Sequence, residues 1–299
     1  MSTSIFVTGA TGFVGRHLFH MLEELSYDVH IGVRTASPYF PPEKTHYITT
    51  SYQSIATAIE AAKPEVILHL ASFAQLGLKA NEIKGMIESN ITLTGHLAEA
   101  AVTHGVRGFI NTSSYAQFGG TTSYRPNSFY ATTKQAAENI LYYYSLHKDL
   151  AVVNLVLYDN YGENDTRKKL LNLIKQALIN QSPLDLTPGD QLINLLHVED
   201  VCRAFTVALD HLLTRRLTDF HRYSVMADQT LSLKALVTKL EELSGTSVQV
   251  CYGTLPYRDS EIMIPREACE RLPGFTPQIT LDDGLRRFLA GTSPLQGEI

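Results

Sequence analysis

A doubly wound, parallel α/β sheet with a smaller, mainly helical C-terminal lobe is the fold this sequence predicts, on three observations. Short, continuously apolar runs alternate with longer helical patterns from the N-terminus to residue 157. Such alternation marks βαβ units, because parallel strands are covered on both faces and need long crossovers. A glycine-rich turn, TGATGFVG, joins the first apolar run to the first helical pattern. Beyond residue 158 the rhythm loosens into helices with only short strands between them.

The elements follow in order. Ile5 to Val7 form the first strand, and Val14, Leu18, Met21, Leu22 and Leu25 then recur at helical spacing. DVHIGVR is a second strand, followed by the proline-rich loop SPYFPPEK. THYITT is a third, and YQSIATAIEAAK a helix. PEVILHLAS reads as a strand buried on both faces, NITLTGHLAEAAVTHG as a long helix and RGFINTSS as the next strand. A helix beginning near Tyr130 precedes the strand LAVVNLVLY. Right-handed crossovers place helices on both faces of the sheet. In the second half TRKKLLNLIKQALIN is an amphipathic helix, and LLHVEDVCRAFTVALDHLL is an apolar segment running into another. LSLKALVTKLEELSG, VQVCYG and LDDGLRRFLAG complete the chain, with TSPLQGEI as a loose end. The organisation expected is a dinucleotide-binding domain over 1–157 and a substrate lobe over 158–299. Segments near 193–226 return to the sheet.

Composition narrows the function classes. The 299 residues carry 44% hydrophobic and 18% charged side chains and a net charge of −5, so a polyanion such as nucleic acid is not the expected partner. Three widely spaced cysteines, Cys202, Cys251 and Cys269, suit a reducing compartment and no disulfide framework. His17 and His20 share an early helix, but no acid or thiol stands at ligand spacing, so no metal site is expected. With no basic leader and no apolar run of about 20 residues, the expectation is a cytoplasmic protein without a membrane partner.

Gly9, Gly12 and Gly15 follow the first strand and open a helix. A glycine there permits the tight turn, a second lets backbone approach a pyrophosphate, and a third allows close helix–strand packing. Thr11, Phe13 and Val14 complete the loop, whose helix N-terminus offers amide donors to phosphates. At the end of the second strand an acid would hold a ribose 2′-hydroxyl, and an arginine would accommodate a 2′-phosphate. The chain reads IGVRTAS, with Arg34 followed by Thr35 and Ser37 and no acid, which favours NADP(H). The plainer reading is that Arg34 is a solvated strand-end charge.

Two Tyr-x-x-x-Lys pairs occur, Tyr130/Lys134 and Tyr144/Lys148. On a helix each pair shares one face, and spacing alone does not choose between them. Their surroundings do. The glycine loop, HLAS at 69–72, Asn90, TSS at 112–114, YATTK, LLHVEDV, YRD and LPGFTPQITLDDGLRRF together resemble the extended short-chain dehydrogenase/reductase family. Within it they resemble the NAD-dependent epimerase/dehydratase branch that acts on nucleotide sugars. This resemblance implies that Ser114, five residues before Gly119, is the catalytic hydroxyl. It implies that Tyr130 exchanges the proton and that Lys134 lowers its pKa while binding the nicotinamide ribose. It further places Leu70, Ala71, Ser72 and Asn90 at the cofactor, and Ser113, Ser114, Tyr115, Asp159, Asn160 and Arg258 at the substrate. Tyr144/Lys148 then lies about four turns along the helix, on the order of 20 Å away.

The resembling dehydratases carry an Asp–Glu pair after the catalytic hydroxyl, where this chain has Tyr115 and Ala116. Neither can serve as the acid or base of a 4,6-elimination. Arg34 leans toward net reduction, and YRDSEIMIP with the short interval from Ser114 to Tyr130 resembles nucleotide-sugar 4-ketoreductases of the CDP-abequose synthase type. The expected reaction is NADPH-dependent reduction of a nucleoside-diphosphate-4-keto-6-deoxyhexose. The alternatives are a 4-epimerase, a non-catalytic NADP-binding regulator, or a reductase of simpler aldehydes and ketones. The chain departs from the family at Val156, Asp159 and Ile193, where Arg, Asn and Arg are usual. Lys168, Lys169 and Arg258 stand as substitute cations, although the two lysines also read as a solvated helix face. The resemblance also implies a homodimer formed by the helices at 90–105 and 130–146, with Ala98, Ala100, Ala136 and Ala137 allowing close approach. The same stripe reads equally as intramolecular core.

Overall fold

The computed structural model describes residues 2–74 and 78–291. The 292–299 tail, expected to be loose, lies outside them. The first half runs β1 (Ser4–Thr8), α1 (Phe13–Glu24), β2 (Asp28–Val33), β3 (Thr45–Tyr47), α2 (Tyr52–Ala62) and β4 (Val66–His69). It continues through α3 (Ile83–Ile87), α4 (Leu93–Thr103), β5 (Gly108–Ser114), α5 (Phe129–Lys148) and β6 (Ala151–Leu157). The second half holds β7 (Asp159–Tyr161), α6 (Leu170–Asn180), β8 (Leu184–Leu186), β9 (Leu192–Ile193), β10 (Leu195–His197) and α7 (Val198–Leu213). It ends with β11 (Phe220–Val225), β12 (Leu231–Ser232), α8 (Leu233–Ser244), β13 (Val250–Tyr252) and α9 (Leu281–Ala290).

Seven strands form one parallel sheet in the order β11-β6-β5-β4-β1-β2-β3. The order reverses beside β1, and ligands of such sheets lie at the carboxyl ends of the strands by that switch point. Alternation along each strand divides the core. Ile5, Val7, Val66, Leu68, Ile110, Val153 and Leu155 pack with α1 and α7. Phe6, Ile67, Phe109 and Val152 pack with α2, α4 and Leu141 of α5. Strands buried on both faces must be apolar on both, which is why they read as unbroken hydrophobic runs.

A separate apolar cluster joins α6, α8 and α9 through Ile174, Leu236, Leu240, Leu285 and Phe288. The chain returns to the large sheet through α7 and β11. By contrast, β9 pairs with β12 and β10 with β7, so the return begins after 197 rather than at 193. The helix expected from Thr166 starts only at Leu170. Asp165 holds the Arg167 amide and guanidinium, and Asn172 donates to the Asp165 and Arg167 carbonyls, which keeps 165–169 in a non-helical turn.

Candidate active site

The glycine loop fits a dinucleotide on its own geometry. A Cβ on Gly15 would stand 2.1 Å from the Gly9 carbonyl oxygen, and one on Gly9, at φ +77°, would stand 2.5 Å from the Ala71 amide nitrogen. Gly12 is the N-cap of α1 and supplies no side-chain acceptor, which leaves the first amides of the helix to a ligand. Thr11 and Gly12 are exposed, while Phe13 and Gly15 are buried beneath them. Arg34 is exposed just past the end of β2.

Below this loop, His69 ends β4. Its Nδ1 lies 2.7 Å from Thr8 Oγ1 and its Nε2 3.0 Å from Thr94 Oγ1. Burial, helped by the charge of Lys134, pushes its pKa down to about 3, so the ring is neutral. The loop after β4 is fixed by Asn90. Its Oδ1 accepts from Phe73 N at 2.7 Å and Ser72 Oγ at 3.2 Å, and its Nδ2 donates to Phe73 O and Thr133 Oγ1. Asn90 sits in a π-helical segment, Glu88–Thr92, between α3 and α4; single π turns are frequent at functional sites. Its side chain is fully engaged by protein groups. It thereby fixes residues 72–73 of the loop after β4.

Ser114 closes β5 and starts a short turn, Tyr115–Gln117, as the first residue of a capping box. Its Oγ accepts the Ala116 amide at 3.3 Å, and Gln117 Oε1 accepts the Ser114 amide at 2.9 Å. With a lone pair occupied in this way, the Ser114 hydroxyl keeps its own proton to donate. Thr112, two residues earlier and therefore on the same face, has a buried Oγ1 without a partner among the described residues. The chain folds back over the turn, with Asn127 N bonded to Ala116 O at 3.1 Å and Arg125 N to Gln117 O at 2.9 Å. Ser128 then caps α5, so Tyr130 enters the site beside the turn that follows Ser114.

Burial raises the Tyr130 pKa above its usual 10, against the pull of a hydrogen bond with Ser72. Lys134, one turn on and 2% exposed, is driven down to about 8 by desolvation, with Glu138 acting in the opposite sense. The other pair separates from this site. Tyr144 donates to Glu99 Oε2 at 2.8 Å across α4 and α5, and its pKa rises to about 12 through burial and that carboxylate.

On the substrate side the structure joins Tyr115 to Asp159 by a 3.0 Å hydrogen bond from the phenol to Oδ2. Burial first, then Asp159, holds the Tyr115 pKa far above 10. The Tyr115 ring stacks on Tyr158 at 5.0 Å, and Tyr158 Oη bonds the Arg266 carbonyl and Ala268 amide of the loop beyond β13. Asn160 accepts from Arg167 Nη2 at 3.0 Å.

One expectation needs correction. Ser113 does not face the substrate: one residue out of phase with Ser114, it points under the sheet and donates to Glu138 Oε2 at 3.1 Å. Arg258 is exposed, and its carbonyl accepts the Glu261 amide. Ala98, Ala100 and Ala137 are fully buried within the chain, whereas Ala136 is half-buried. Two groups escaped sequence reasoning. Arg167, paired with Asp165, stacks over the Phe13 ring at 4.2 Å and ties the glycine loop to β7. Glu138 and Gln117 form a buried relay behind Ser114, foreshadowed only by the S-x-x-Q capping pattern.

The NAD dependent epimerase/dehydratase family matches residues 5–218. The chain is 26% identical over 268 residues to a CDP-abequose synthase of Yersinia pseudotuberculosis, covering 87% of this chain and 91% of that protein. It is 25% identical over 297 residues to the CDP-abequose synthase of Salmonella typhimurium, covering 95% and 97%. MoeE5, solved in complex with UDP-glucuronic acid and NAD, superposes with a TM-score of 0.82 at 24% identity, covering 96% of this chain and 97% of that one. A parallel sheet, an open glycine loop and a match through most of the chain lead to one statement: this protein belongs to the NAD dependent epimerase/dehydratase family and is an NAD(P)-dependent enzyme.

Proposed function

We propose that the protein reduces the C4 keto group of a nucleoside-diphosphate-4-keto-6-deoxyhexose with NADPH. What supports this reading is a protonated phenol at Tyr130, at the start of the helix that follows the Ser114 turn, together with a Ser114 hydroxyl that accepts an amide and keeps its own proton. Both groups are poised to give a hydrogen, which is what an oxygen turning from carbonyl to alcohol requires. The nicotinamide cofactor, held by Gly9, Gly12 and Gly15, supplies hydride. Ser114 orients and polarises the carbonyl, Tyr130 delivers the proton to the oxygen, and the Lys134 ammonium stabilises the phenolate left behind. Tyr115 and Ala116 lack the acid–base pair of a 4,6-elimination, so dehydration is not the reading. The similarity to two CDP-abequose synthases supports a deoxysugar substrate, and the exposed Arg34 supports NADPH.

A 4-epimerase is the second reading, favoured by the family the chain belongs to. The two separate in one experiment: absorbance at 340 nm with NADPH or NADH and a panel of nucleotide-linked 4-keto-6-deoxysugars. Stoichiometric NADPH oxidation, lowered at least about 100-fold in Tyr130→Phe, is expected. Sugar conversion without cofactor loss would instead establish the epimerase. We also infer a homodimer built on the outer face of α5.

A further inference from the structure

Behind the catalytic side chains lies a carboxylate that the reaction scheme does not use. Glu138, on α5 one turn beyond Lys134, is wholly buried. Its Oε2 accepts from Ser113 Oγ at 3.1 Å and Gln117 Nε2 at 3.0 Å, and its Oε1 pairs with the Arg222 guanidinium from β11. Gln117 in turn accepts the Ser114 amide. One side chain thus reaches the strand that ends in Ser114, the turn that follows it, and the edge strand of the sheet. Lys134 and Glu138, four apart, share a helix face. Only the carboxylate of this ion pair is buried, the Arg222 side chain being 34% exposed, and burying a carboxylate costs stability that such a pair repays only in part, so stability alone is a poor account of it.

We propose that Glu138 is a positioning residue of the catalytic set: it fixes the end of β5 that presents Ser114 against the helix that presents Tyr130 and Lys134, and it sets a negative charge facing Lys134. The proposal rests on the reading of Ser114, Tyr130 and Lys134 as that set. Among the described residues, Lys134 has Tyr130 and Glu138 one turn away on its own helix and His69 near it on β4, and Glu138 is the one carboxylate of the three. Glu138 itself is faced by Arg222 from β11, Ser113 from β5, Gln117 from the turn, and Cys269, whose thiol feels both charges. In a low-dielectric interior such a charge acts strongly on its neighbour. Removing it lets Lys134 lose its proton at lower pH.

The test uses the double variant Glu138→Gln, Arg222→Gln, which removes both charges and leaves neither unpaired, beside Glu138→Asp, which keeps the charge. Two quantities are read against pH: NADPH affinity, from cofactor fluorescence, and kcat/KM for the ketosugar. In the double variant the alkaline fall of both is expected to move down by about half a pH unit or more, with kcat reduced about tenfold and KM changed by less than about twofold. Glu138→Asp should restore the wild-type alkaline limb even if its kcat stays low. Superimposable pH profiles, with activity tracking only the folded fraction, would overturn the proposal. Lys134→Met separates the two layers. If wild-type NADPH affinity does not respond to it, the catalytic assignment is wrong. If affinity responds to Lys134→Met but not to the double variant, only the role of Glu138 is wrong.

Discussion

Lys134 carries a charge where burial disfavours one. A lysine whose pKa falls from 10.5 to about 8 is less stable as an ammonium in the folded chain by roughly 3 kcal/mol, since each pH unit is worth about 1.4. The sign follows from linkage. The folded-state pKa lies below the unfolded one, so the penalty is fully present below pH 8 and fades as pH rises from 8 to 10.5. Lys134→Met should therefore raise the melting temperature of the cofactor-free protein at pH 7 by several degrees. The gap should narrow at pH 10, while ketosugar reduction drops by at least about 100-fold. A melting temperature that falls at pH 7 would show that the ammonium is better satisfied than its burial indicates. Neighbouring serines teach a related point. Ser113 and Ser114 have the same chemistry, but strand alternation sends the first to Glu138 and the second to the turn that leads to Tyr130.

Among the elements, the glycine loop gives the sharpest contrast between positions that look equivalent in sequence. A Cβ at Gly12 would stand 3.2 Å from the Gly9 carbonyl oxygen, a contact that a small shift relieves, whereas at Gly15 the same atom would stand at 2.1 Å. Gly15→Ala must therefore push α1 away from β1. It is expected to destabilise the protein by about 2–4 kcal/mol and to weaken dinucleotide binding more than tenfold, with Gly12→Ala much milder in stability. Thermal melts and NADPH titration of both variants check the order, and equal effects would refute the close-approach argument. This loop was legible because its constraint is local: glycine spacing, an apolar strand and a helical pattern lie within 25 residues of chain start. The buried strands were legible for a similar reason, since burial on both faces leaves only apolar residues. The non-helical turn at Arg167–Lys169 was not, because it depends on Asp165 and Asn172 side chains that compete with helix formation. The Glu138–Arg222 pair spans 84 positions of sequence, and no period or spacing links two residues that meet only when β11 joins the sheet.

At the scale of the whole molecule, the exposed side of α5 is the feature a single chain does not explain. Tyr142, Tyr143 and Leu146 are 48%, 51% and 58% exposed and lie three and four residues apart, on one helical stripe. A surface helix normally presents polar residues there, and clustered exposed apolar groups mark contact surfaces. The buried alanines exclude close approach through Ala98, Ala100 and Ala137, so the dimer proposed on α5 would rest on these larger side chains. In a two-fold interface the same patch meets itself, and one substitution acts twice. Leu146→Glu therefore sets two carboxylates in one contact and is expected to weaken self-association at least about 100-fold, which sedimentation velocity across a concentration series measures. Leu146 lies in the last turns of α5 and Tyr130 in its first, on the order of 24 Å apart at 1.5 Å per residue, so the monomeric variant should keep most of its turnover per chain. A wild-type protein that sediments as a monomer at about 100 µM would remove the dimer reading. A Leu146→Glu monomer that lost its activity would show instead that the α5 contact holds the far end of the helix, and Tyr130 with it, in place.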